Sequence, residues 1–229
     1  MTTNTEEIVT ASESTELLDR AKGFWEKNNK NITYISIALI ILIGGYLGYK
    51  YLIQVPTEKK AQDEIFKAEM NFRSDSLQLA LNGNNSTPGF LKVIKNYGGT
   101  PSGNLAKLYA GECYLQLGEF KKSIEQLESF NGGGAKQVEA KVQGMLGDAN
   151  AELKNNAKAI SHYQKAGSIF ESDINMSSEY LFRAGMLLEI EGKNAEAIKL
   201  YQQIKEKFPR TERGYSIDKY LARLGATKS

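Results

Sequence analysis

The chain has 229 residues, with 29 Lys and Arg against 27 Asp and Glu, one Cys and one His. The near-neutral balance, 24 basic to 21 acidic residues after position 53, offers no basic field for nucleic acid. A single Cys113 cannot form an internal disulfide, and a single His162 without Cys or His at ligand spacing does not make a metal site, so no cofactor is expected.

Residues 1–31 form a polar head. The stretch before Ser12 reads as disordered. Leu17, Leu18, Ala21, Phe24 and Trp25 then fall on one helical face, a spacing that predicts a short amphipathic helix lying on a membrane surface. From Ile32 to Tyr49 no residue is charged and most are apolar, enough as a helix to cross about 27 Å of hydrocarbon. Trp25, Tyr34, Tyr46, Tyr49 and Tyr51 bracket the run as interfacial rings do. A head this long, with no small-x-small cleavage site after the apolar run, marks residues 32–53 as an uncleaved transmembrane anchor. Arg20, Lys22, Lys27 and Lys30 before the span balance Lys50, Lys59, Lys60 and Lys67 after it. Orientation therefore rests on the long C-terminal domain, which crosses largely regardless of charge and leaves the short head in the cytoplasm. Gly44 and Gly48 form a GxxxG step that admits a second membrane helix at close range.

Residues 57–103 begin with Thr57–Leu81, read as one long helix capped by Thr57 with Ala61, Ile65, Ala68 and Phe72 on a face. The loop Asn82–Pro88 follows, and then a segment from Gly89 to Pro101 that looks like the second half of a degenerate repeat. Self-similarity at 36 to 38 residues runs through residues 104–210. Three units align Ala110-Gly111, Leu146-Gly147 and Ala184-Gly185 in a first helix. In the second helix Ile124 and Leu127 of the first unit answer Ala159, Ile160 and Tyr163, then Ala197, Ile198 and Tyr201. The turn carries Gly118 and Gly192 in units one and three but Lys154 in unit two. Residues 211–229 read as a terminal helix and tail, with Tyr215, Ile217, Tyr220, Leu221 and Leu224 closing the array and Gly225 ending the helix.

The pattern resembles the tetratricopeptide repeat, which implies an all-α solenoid behind a single N-terminal transmembrane helix. In that repeat the first helices line a concave face. Transferring the inward positions gives Leu105, Leu108, Glu112, Leu115 and Gln116; then Lys141, Gly144, Asp148, Ala151 and Glu152; then Glu179, Phe182, Met186, Glu189 and Ile190. The expected groove is apolar with an acidic rim. Leu108, Glu112, Leu115, Asp148, Glu152, Phe182, Met186 and Ile190 are its candidate partner-binding residues, and an extended or unfolded segment of apolar and basic character is its expected occupant. Capture of a C-terminal carboxylate is not expected, because Lys141 is the one cation among those positions. No Gly-rich phosphate loop and no Ser or Cys with a His partner is present in the sequence, so no catalytic residue is assigned.

The order of parts is a polar head, the basic-aromatic Phe24-Trp25-Glu26-Lys27-Asn28-Asn29-Lys30, a span containing Gly44-Gly45-Tyr46 and Gly48-Tyr49, a long helix and divergent repeats. It is similar to the YfgM-like family of ancillary SecYEG translocon subunits, in its Bacteroidota form. That resemblance implies a periplasmic domain on the bacterial inner membrane that works beside a PpiD-like peptidyl-prolyl isomerase and meets polypeptides emerging from the translocon. A structural envelope scaffold and an organelle import receptor are the rival expectations.

Overall fold

The computed structural model describes the backbone of residues 3–226 and the side chains of residue 20 and residues 22–226. The chain divides into two compact units at the Pro56/Thr57 bond. Among the described residues the secondary structure is helical, with one isolated β-bridge between Gly83 and Pro88.

In the first unit, α1 (Thr3–Tyr49) is one continuous helix. From Thr3 the backbone is helical through the stretch read as disordered before Ser12 and through the expected short helix, which is continuous with the apolar run, and no proline interrupts it. The side chains of Leu17, Leu18 and Ala21, which were to form the apolar face of the head, lie outside the described set. Along residues 33–47 every side chain is exposed, Ile40, Ile41 and Leu42 by two thirds or more of their surface. This is the one helix among the described residues long and apolar enough to cross a membrane. A π-helical turn, Lys50–Gln54, follows; its hydrogen bond runs from the Val55 N–H to the Lys50 carbonyl five residues back.

Helices α2 (Val55–Arg73) and α3 (Leu77–Asn82) come next, so the expected single helix is broken. The break falls at Ser74-Asp75-Ser76, where Asp75 takes a left-handed φ of +56°; Asp is one of the few non-glycine residues that tolerate it. Thr57 lies inside the first turn of α2 and is not its cap. Helix α4 (Phe90–Tyr97) falls in the segment from Gly89 to Pro101.

Three helical hairpins follow: α5 (Pro101–Gln116) with α6 (Phe120–Ser129), α7 (Lys136–Glu152) with α8 (Asn156–Ile169), and α9 (Ile174–Ile190) with α10 (Asn194–Lys207). Helix α11 (Glu212–Arg223) closes the array and ends at Gly225, with φ +73°. The residues that repeat in sequence do the packing. A Cβ on Gly111 would lie 2.6 Å from Leu127, one on Gly147 2.5 Å from Tyr163, and one on Gly185 2.3 Å from Tyr201. Hydrogen at these positions is what lets each second helix close on its first. At the turns Gly118, Lys154 and Gly192 take φ of +76°, +59° and +72°, so Lys154 occupies a glycine conformation.

Two threonines join successive hairpins by the same device. The Thr100 and Thr211 hydroxyls donate to the Tyr97 and Phe208 carbonyls and accept from the Gly103 and Gly214 N–H groups, each bond 2.9 to 3.1 Å. Each threonine thus ends one helix and caps the next. The apolar side chains collect in three clusters: α2 to α5 around Phe90; α5 to α7 around Leu127; α8 to α11 around Tyr201. Cys113 is fully buried in the first of these, and burial followed by the Glu112 charge pushes its thiol up to about 12. It is a packed apolar group, as expected. In α11 Ile217 and Leu221 are buried, but Tyr215 is 77% exposed and takes no part in closing the array.

Candidate partner-binding surface

The first helices α5, α7 and α9 place neighbouring side chains one hairpin apart, and a ladder of ion pairs runs along them to α11. Glu112 of α5 meets the Lys141 ammonium of α7 at 3.1 Å. Asp148 of α7 meets the Arg183 guanidinium of α9 at 2.6 Å, and the buried Tyr163 hydroxyl donates to the same carboxylate oxygen at 2.6 Å. Glu179 of α9 is held by Arg183 Nε at 2.8 Å on its own helix and by Arg213 Nε of α11 at 2.6 Å. Glu189 takes Arg223 at 2.8 Å and a hydrogen bond from the buried Tyr201 hydroxyl. Burial disfavours the charged form of Glu179, but the hydrogen bonds from Arg213 and Arg183 outweigh it and hold the carboxyl below its ordinary range.

The eight candidate groove residues therefore separate by environment. Leu108 is 8% exposed and packs with Leu127, Val142, Met145 and Leu146; Phe182 is 7% exposed among Tyr201, Tyr220 and Arg213. These two belong to the core. The expectation that Phe182 presents a surface is corrected, because α11 folds over α9 and covers it. Gly144 is covered in the same way, by the Tyr180 ring. Leu115 and Met186 are half-buried against their clusters, and Ile190 is well exposed. Of the acidic rim, Glu112 and Asp148 are committed to Lys141 and Arg183, whereas Glu152 is exposed at the end of α7.

Sequence reasoning also undercounted the cations. Arg183, Arg213 and Arg223 join Lys141 on this face, and all four are paired with carboxylates. The i, i+4 spacing of Glu179 and Arg183 signalled one of these pairs; the inter-hairpin pairs carried no local signal. What stays wholly or partly open on the first helices is Leu115 of α5, Met186 and Ile190 of α9 and the exposed Glu152 of α7, while the ion pairs of the ladder are already made.

The model of the Tetratricopeptide repeat-like domain family matches residues 22–225. The chain belongs to that family. No curated protein sequence matches it significantly. Among solved structures this tetratricopeptide repeat-like chain is similar to the MamA protein, at 20% identity and a TM-score of 0.54 over 74% of this chain and 84% of that one. It is also similar to a Podospora anserina chain described as a kinesin light chain with nearly identical TPR-like repeats, at 16% identity and a TM-score of 0.54 over 73% and 86%. At these identities the likeness shows the fold, a helical solenoid. A tetratricopeptide repeat-like array is a protein-binding scaffold.

Proposed function

We propose that this chain is a single-pass, membrane-anchored protein-binding module. Its head lies in the cytoplasm of a bacterium and its repeat unit in the periplasm, where it acts as an ancillary subunit of the SecYEG translocon beside a PpiD-like partner and receives newly translocated polypeptide. The observation that carries the anchored module is the family match itself. It starts at residue 22, ahead of the apolar run within α1, and ends at residue 225, in the closing turn of the array, so apolar run and repeats belong to one domain type. The exposed apolar side chains of residues 33–47 support lipid as their cover. Support for the translocon is the order of parts shared with YfgM-like subunits. Support for polypeptide as ligand is the exposure, whole or partial, of Leu115, Met186, Ile190 and Glu152 on the first helices.

The test is co-purification in mild detergent followed by mass spectrometry, with protease added to spheroplasts in parallel. SecYEG and a membrane-anchored prolyl isomerase are expected in the eluate, and the repeat unit is expected to be digested. Full protection of that unit would place it in the cytoplasm and end the proposal, and an eluate without translocon subunits would remove the translocon part. One observation favours a second reading, an envelope scaffold that binds folded partners: the ion-pair ladder fixes most of the first-helix face and leaves few apolar side chains open. Binding of a denatured client by the purified full-length chain separates the two, since a scaffold of folded partners does not retain it.

A further inference from the structure

Helix α6 has 10 residues where its counterparts α8 and α10 have 14 each. After Ser129 the chain leaves the helix, Phe130 being extended at φ −76° and ψ 138°, and continues through Gly132-Gly133-Gly134 into α7. A turn of helix is missing at this junction. In its place is a cavity of about 440 Å³, within the range of small-ligand sites.

Its floor is apolar, from Leu127, Val142, Leu146 and Ile169. Its walls are held in position by hydrogen bonds. Asn104 Nδ2 donates to the Asn131 carbonyl at 2.8 Å and its Oδ1 accepts from the Asn131 N–H at 2.9 Å, tying the linking segment to α5. Glu139 Oε1 accepts from the Gly134 N–H at 3.2 Å. On the third side the His162 Nδ1–H donates to Gln143 Oε1 at 2.8 Å, leaving Nε2 as an acceptor. Burial, then the nearby Lys165, lowers the imidazole from its ordinary value, so it is neutral at pH 7. Glu128 and Glu139 bring two carboxylates to the lining, and no Lys or Arg lines it; Lys158 and Lys165 stand on the His162 helix outside it. Helical spacing puts Glu139, Val142, Gln143 and Leu146 on the face of α7 opposite Lys141 and Asp148. The cavity and the ion-pair ladder therefore use opposite faces of the same helix.

We infer that this cavity is a second polypeptide site, taking the side chain of a lysine or arginine from an extended segment, with its methylene stem on the apolar floor and its charged head between Glu128 and Glu139. A long basic side chain is the occupant that satisfies both halves of the lining, since an apolar residue leaves the carboxylates uncompensated and an acidic one meets them with like charge. A preformed wall removes much of the ordering cost of binding. The site goes beyond the proposed function, and neither its place nor its ligand depends on the translocon.

The test uses the full-length chain in lipid nanodiscs and three fluorescein-labelled peptides, Ser-Leu-X-Leu-Ser with X as arginine, lysine or norleucine, read by anisotropy. The arginine and lysine peptides are expected to bind at least about fivefold more tightly than the norleucine peptide, and their difference assigns the preferred cation. Glu128→Gln, at an exposed position, is expected to weaken the two basic peptides about fivefold and leave norleucine unchanged. Ile169→Trp, which fills the cavity, is expected to abolish binding, with the melting temperature followed alongside. Equal affinity for the three peptides overturns the inference, as does a Glu128→Gln chain that binds the basic peptides normally. Binding that is lost only with Ile190→Ser assigns the peptides to the first-helix face and also overturns it. Loss of SecYEG association with cavity binding intact would remove the proposed translocon role and leave this site standing.

Discussion

Truncating Phe182 to alanine separates a core position from a groove position in one measurement. The ring is 7% exposed, meets Tyr220 edge-on at 4.8 Å and Tyr201 at 6.0 Å, and carries the Arg213 guanidinium 4.3 Å above its face. Removing a buried phenylalanine costs about 3–5 kcal/mol, made up of lost transfer energy and the cavity left behind. Tyr201 and Tyr220 are themselves in contact at 5.7 Å and anchored on α10 and α11, so the hole closes poorly and the cost falls in the upper half of that range. Arg213 keeps its bond to Glu179 and remains partly solvated, so loss of the cation–π contact adds only about 0.5 kcal/mol. A loss of about 4 kcal/mol lowers the melting temperature of an array this size by roughly 8–16 °C. Circular dichroism melting of the full-length chain in detergent gives the number, with Ile190→Ala as the comparison. Ile190 is 69% exposed, and its truncation is expected to cost under about 0.5 kcal/mol. If Phe182→Ala melts within about 2 °C of the parent while partner binding disappears, Phe182 is a groove residue and the packing argument is wrong.

Four further outcomes follow from named positions. Lys154→Gly, at φ +59°, is expected to raise stability by up to about 1 kcal/mol by relieving a left-handed backbone, and a fall in the denaturation midpoint would refute that account. Gly185→Ala puts a methyl 2.3 Å from the Tyr201 ring, which is fully buried; a loss of about 1–3 kcal/mol in chemical denaturation is expected, and none if the hairpin opens freely. Glu179 titrates below its ordinary 4.5 when folded, so the folded state binds fewer protons than the unfolded one. Its contribution is complete above pH 4.5 and is lost as the pH falls below that through the folded value; Glu179→Gln should therefore flatten the dependence of stability on pH in that acid range, and an unchanged slope would show the carboxylate is not coupled to folding. Gly44→Leu with Gly48→Leu meets open space within the chain, so insertion and melting should be unchanged while co-purification with membrane partners falls; undiminished recovery would exclude a packing role.

Periodic features were legible in the residues alone. An uncharged run from Ile32 to Tyr49 announces a helix long and apolar enough to cross a membrane, and Gly111, Gly147 and Gly185 announce three hairpins because each second helix needs the same missing Cβ. Even the anomaly at Lys154 showed, since two sister turns carry glycine. Tertiary structure decided which groups remain free. Leu108 and Leu115 stand a few residues apart on one helix, yet the first is buried and the second half-open, because exposure depends on the neighbouring hairpin and not on helical phase. Phe182 became core only when α11, from far along the chain, folded across α9. The carboxylates of Glu112, Asp148 and Glu189 read as an acidic rim until Lys141 and Arg183 arrived from the next hairpins and Arg223 from the closing helix. The short α6 leaves a cavity only because α7 and α8 supply its other walls. Local spacing governs backbone and packing within a helical hairpin, while the charge and exposure of a surface are sums over neighbours some 30 to 40 residues away, which only the folded array brings together.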